Sequence, residues 1–123
     1  MHGVDALGAD PLDPGVVTAI RSLGGPGEPD VYAEVARLFL ADVPRHLAAL
    51  RLAIAEDCPE LTAQIAHRLR GGALEIGAVR MAPLCAAIEH AARSLTLTHA
   101  PALAARLERE FSATRGALER TIA

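Results

Sequence analysis

The chain has 123 residues, room for one domain whose core needs neither disulfide nor metal. Hydrophobic residues make up 51%, which excludes disorder for most of its length, but aromatics make up only 2%. So few rings argue against a β-sandwich and against a base-stacking surface; the alanine- and leucine-rich remainder has the composition of packed helices. Fifteen acidic residues against twelve basic ones leave a net charge of −3, so neither nucleic acid nor an anionic membrane is an expected partner.

All twelve basic residues are arginine, so an Arg here can stand where related chains carry Lys. Cys58 and Cys85 lack any motif spacing and read as thiols in a reducing compartment. No apolar run approaches the roughly 18 residues of a membrane span, and no targeting segment is evident. A cytoplasmic protein is the expectation.

Residues 1–11 are polar and aperiodic and read as a flexible leader, with the folded domain over 12–123. Asp13-Pro14 predicts an N-cap followed by proline at the first helical position. Val16, Val17, Ile20 and Leu23 carry a short apolar stripe that Gly24-Gly25 ends. A second helix starts at Asp30 and runs through Val31, Val35, Leu38 and Phe39. Leu47, Leu50 and Ile54 continue it past Pro44, which predicts one long kinked helix rather than two.

Asp57-Cys58-Pro59-Glu60 predicts the next start, with Asp57 as N-cap and a stripe of Leu61, Ile65, Leu69, Ala73 and Ile76 closed by Gly77. A fourth pattern follows through Met81, Leu84, Ile88, Ala91 and Leu95, with Pro83 in its first turn. Thr96 or Thr98 is the expected cap of the last helix, whose stripe is Leu103, Leu107, Phe111, Thr114, Leu118 and Ile122. No strand-like alternation occurs. The predicted fold is all-α: an antiparallel up-down four-helix bundle with an additional short N-terminal helix.

Chemistry concentrates around His67. At 100° per residue it lies about 200° from Ile65 and Leu69, and so points away from the apolar stripe. Its own face holds Ala63 and Gln64 one turn earlier, then Arg70, Gly71 and Leu74. Gly71 and Gly72 cost a helix about 1 kcal/mol each relative to alanine. Either they end the helix, or they clear side chains from beside an exposed imidazole so that another protein can approach; the spacing weighs these evenly.

The run His67-x-Leu69-Arg70-Gly71, then Gly77-Ala78, Leu84 and Ile88-Glu89, resembles the histidine-containing phosphotransfer (HPt) domain of two-component phosphorelays. The likeness extends from Leu12 to the C-terminus. The chain departs from that pattern at Arg70, where Lys is usual, and at Gly72, where Ser or Ala is common. The resemblance implies a bacterial-type signalling phosphoprotein that takes a phosphoryl group on His67 from a receiver-domain aspartate and passes it to another receiver. It implies a carrier rather than an autonomous kinase, and the chain has no P-loop. No cofactor is implied on this chain, Mg²⁺ being expected on the receiver. The expected partners are response-regulator receiver domains and a hybrid sensor kinase, with the carrier itself a monomer.

Within that resemblance Arg70 would offset phosphoryl charge, and Glu89 would accept from Nδ1 of His67. Arg93, four residues beyond Glu89, can pair with it or approach the phosphoryl group, although the two could equally form an ordinary surface ion pair. Gln64 and Gly71 support the site, while Ala63, Arg68, Gly72 and Leu74 would form the docking surface. His2, His46, His90 and His99 are isolated and read as surface or half-buried imidazoles. A metal site lacks support, since neither Glu-x-x-His nor a histidine pair at i, i+4 occurs. A non-phosphorylated helical interaction module is the alternative function.

Overall fold

Five α-helices build residues 10–123, the residues described by a computed structural model: α1 (Pro14–Arg21), α2 (Val31–Ala55), α3 (Pro59–Ile76), α4 (Ala82–Arg93) and α5 (Ala100–Ile122). The expected leader and His2 lie outside the described residues, save for Asp10 and Pro11. In the bundle α2 packs on α3, α3 on α4, α4 on α5 and α5 back on α2. This ring of sequential neighbours joined by short connections is the all-α, up-down bundle expected. The short α1 lies across it, against α2 and α3.

The capping chemistry is partly as the sequence predicts. Asp13 accepts from Gly15 N with Pro14 following, and Asp30 accepts from the backbone of Tyr32 and Ala33. Pro44 sits inside an unbroken α2. Two caps differ. Asp57 is not the N-cap of α3 but adopts φ 54° at the end of α2. There Asp57 N donates to Ile54 O and Cys58 N to Ala53 O, a left-handed helix terminus. Cys58 then opens α3 with no side-chain cap. Neither Thr96 nor Thr98 caps α5, because Thr96 N is already bonded to Ala91 O in the terminus of α4, and His99 takes the position instead.

The core runs along the bundle axis through Leu50, Leu69, Ile76, Met81, Ile88, Leu107 and Leu118, with Phe39 and Phe111 tilted against each other at 6.1 Å. Alanines fill the close helix contacts: Ala36, Ala66, Ala73 and Ala92 are all buried. Four leucines of the predicted buried stripes are instead exposed: Leu23, Leu38, Leu61 and Leu95. In α3 the reason is phase. Thr62, Ala63, Ala66 and Leu69 face the core, so small residues, not Leu61, define the buried side.

The α3–α4 connection is tied down on one side. Gly77, at φ 81°, ends α3 in a left-handed terminus, with Gly77 N bonded to Leu74 O and Ala78 N to Ala73 O. Leu12 and Ala78 form an isolated antiparallel bridge, and Pro11 O accepts from Val79 N at 3.2 Å. A Cβ on Gly77 would lie 2.9 Å from Val16 Cβ, so α1 packs directly on this turn.

Candidate functional site

His67 sits near the middle of α3, on the flank that meets α4, and its side chain is 66% exposed. The helix does not stop at Gly71-Gly72: it runs on to Ile76. That resolves the two readings of the glycine pair. Among the described residues a Cβ on Gly71 would meet no other side chain or helix within 4 Å, and one on Gly72 would make an ordinary 3.8 Å contact with the Phe39 ring. Packing inside this chain therefore asks for neither glycine, although each weakens the helix.

Glu89 reaches across from α4. Its two carboxylate oxygens lie 3.2 and 3.1 Å from His67 Nδ1. Arg93, one turn further along α4, donates to Glu89 Oε2 through Nε at 3.0 Å and through Nη2 at 2.8 Å. Glu89 is 13% exposed where Arg93 is 60% exposed, so the carboxylate forms the sheltered centre of this group. Partial burial pushes the Glu89 carboxyl upward, but hydrogen bonds from Arg93 and then His67 outweigh it and hold the group below its ordinary range. An ionised carboxylate only accepts hydrogen bonds, so Nδ1 carries a hydrogen, and in the neutral ring the lone pair is then on Nε2. Among the described residues Nε2 has no hydrogen-bond partner.

The remaining expected site residues divide. Arg70, Gly71, Gln64 and Leu74 are exposed along the same helix, and no hydrogen bond or ion pair engages Arg70 among the described residues. Arg68 is exposed too, but it lies on the flank towards α2. Ala63 does not belong to an open surface: it is 2% exposed, because the tight face of α3 is made of small residues. Gly72 is half-buried over Phe39.

One feature was hidden in the sequence. Between α2 and α3 runs a groove of about 420 Å³, bordered by Leu38, Asp42, His46, Arg68 and Gly72 with Phe39 beneath. The apolar stripe of α2 puts Leu38 in the core; its 67% exposure places it on the rim. The available signal was that Leu38 and Phe39 are adjacent, so a helix cannot bury both fully on one narrow face.

Among the described residues no group of three or more His, Cys, Asp or Glu is arranged to hold a metal ion. No described helix is long and apolar enough to cross a membrane.

A family model described as the Hpt domain matches residues 34–117, which includes α3, α4 and all of the His67–Glu89–Arg93 group. The crystal structure of histidine-containing phosphotransfer protein B (HptB) from Pseudomonas aeruginosa PAO1 is similar at 29% identity and a TM-score of 0.85. That similarity covers 93% of this chain and 96% of the other. No curated protein sequence matches. With the fold, the match over most of the chain and the solved neighbour in agreement, the chain belongs to the Hpt domain family, modules of histidine phosphotransfer in two-component systems.

Proposed function

We propose that this protein is a phosphoryl carrier of a multistep phosphorelay and that His67 is its acceptor. The observation that supports the reading best is the division of labour between the two ring nitrogens: Glu89 engages Nδ1, while the 66%-exposed side chain leaves Nε2 to an incoming partner. In this reading a receiver domain brings an aspartyl phosphate. Nε2 attacks phosphorus in line, the N–P bond forms as the acyl P–O bond breaks, and the aspartate leaves with the electron pair. The ring becomes cationic while Nδ1 keeps its hydrogen, and Glu89 is placed to meet that charge.

Arg70, one turn from His67, is the side chain of this chain suited to the phosphoryl oxygens. Mg²⁺ belongs, in this reading, to the receiver's own site. Gly71 and Gly72 leave the helix bare beside the ring, and exposed Leu38 and Leu74 supply apolar contacts on either side, with Arg68 between. A hybrid sensor kinase would start the chain of transfers and a second receiver end it.

Incubation with a phosphorylated receiver tests this. The protein should gain an acid-labile, alkali-stable label, and His67→Gln should abolish it. No label on the unsubstituted protein would leave the non-phosphorylated docking module as the better account, and full labelling of His67→Gln would move the acceptor elsewhere.

A further inference from the structure

We infer that Arg93 is a positioning residue that acts through Glu89: its guanidinium holds and balances the carboxylate that orients His67. The inference rests on His67 being the acceptor and adds a role for a residue that does not touch the ring.

The geometry contains a conflict that Arg93 resolves. A carboxylate against Nδ1 orients the ring and fixes its tautomer, but it also favours the protonated imidazolium. Imidazolium has no lone pair on Nε2 and cannot attack phosphorus. A neutral acceptor such as glutamine would orient without charging, yet this chain has glutamate. Arg93 places two donors on the single oxygen Oε2, the same oxygen that lies 3.1 Å from Nδ1. The carboxylate is thereby shared between two donors, one of them a cation, and its pull on the ring proton is reduced.

Other charges near His67 do not substitute. On α3, Arg70 and Arg68 are cations on either side of it, and neither is bonded to Glu89. Asp42 and His46 on α2 and Glu75 on α3 border the groove beside Arg68, on the flank of α3 away from Glu89. On α4 the other titratable side chains are Cys85, which is buried, and His90, which is exposed and bonded to neither Glu89 nor His67. The short α1 meets α3 where Val16 packs on Gly77, and its one charged side chain, Arg21, is paired with Asp30.

The effect has a signature in pH. Without Arg93 the full charge of the Glu89 carboxylate faces Nδ1, which favours imidazolium, the form that cannot attack. The loss is then confined to acid pH, at about threefold, and vanishes at alkaline pH, where no proton competes for Nε2. A residue contacting the phosphoryl group or a docked protein would instead cost rate at every pH.

The test uses phosphoramidate as donor, which needs no protein partner: the N–P bond to Nε2 forms, the donor P–N bond breaks, and ammonia leaves. Rates of His67 phosphorylation are followed against pH for the unsubstituted protein, Arg93→Gln, Arg93→Lys, Glu89→Gln and the double variant Glu89→Gln/Arg93→Gln. The expected result is an acid limb displaced upward in Arg93→Gln, restored in Arg93→Lys, and a clearly smaller displacement when Arg93→Gln is added to Glu89→Gln. A loss uniform in pH, the same loss in the Glu89→Gln background, or no change at any pH would overturn the inference. Should the unsubstituted protein take no label, the acceptor reading fails. NMR titration of the His67 ring then still decides the role of Arg93, since Arg93→Gln should move it further upward in the Glu89 background than in the Glu89→Gln background.

Discussion

The Tyr32 hydroxyl donates to the carbonyl oxygen of Ile76 across 2.9 Å, joining the first turn of α2 to the last residue of α3. The last carbonyls of a helix have no partner within it, and this one is buried. Tyr32→Phe keeps the ring and its packing while stranding that oxygen. A loss of about 1–2 kcal/mol is expected, read as a lower urea midpoint at unchanged slope. An unaltered midpoint would mean that the bond contributes nothing net.

Burial also pushes the Tyr32 hydroxyl up to about 12 from its ordinary 10.0, and the Cys85 thiol up to about 12 from 9.0. Both groups are neutral when protonated, so the unfolded chain gives up these protons first. Stability is therefore complete below the unfolded values and falls as pH rises from about 9 towards 12. Cys85→Ala should flatten the part of the decline that begins near 9, and Tyr32→Phe the part that begins near 10. Chemical denaturation at a series of alkaline pH values checks this; a stability that stayed level to pH ~11 would contradict it.

Helix existence and the exposed face of the candidate site were legible because both rest on strong local signals: Asp13-Pro14 and Asp30 cap as read, and the exposed face of α3 carries His67, Arg70 and Gly71. The pairing of Glu89 with His67 was legible only through the family resemblance, since two residues on separate helices share no spacing rule. What misled was size. Ranking leucine above alanine put Leu61 inside and Ala63 outside, whereas close helix packing selects the small side chain. Asp57 differs for a related reason: Asp suits both an N-cap and a left-handed terminus, and only the fold decides between them.

The left-handed helix ends at Leu95 and Gly77 make opposite predictions. Leu95 adopts φ 58° and is 77% exposed, so it is strained and packs on little. Relief of about 1–2 kcal/mol outweighs the about 0.5–1 kcal/mol entropic cost of glycine, and Leu95→Gly should stabilise by about 0.5 kcal/mol. Gly77→Ala goes the other way, since its φ of 81° disfavours a side chain and Val16 Cβ stands 2.9 Å from the new atom. A loss of about 2 kcal/mol or more is expected, and thermal melts that ranked the two variants in reverse order would contradict both assignments.

Gly71 separates the demands of the fold from those of a partner. Among the described residues no side chain or other helix lies within 4 Å of a Cβ added there, so Gly71→Ala should stabilise α3 by about 1 kcal/mol. Gly71→Leu should fold too, because its side chain would extend into open space. Leucine, however, would stand one turn from His67, on the face a receiver would cover if His67 is the acceptor. Losing about 1.4 kcal/mol of docking energy corresponds to about a tenfold slower transfer, and Gly71→Leu should cost at least that much with a phosphorylated receiver as donor. Phosphoramidate is small enough to pass the new side chain, so its labelling of His67 should suffer less than receiver-dependent transfer. Equal rates from the receiver for Gly71→Leu and the unsubstituted protein would mean that the bare stretch of helix is not where the partner rests, and that the glycine has no purpose visible in either the fold or the exchange.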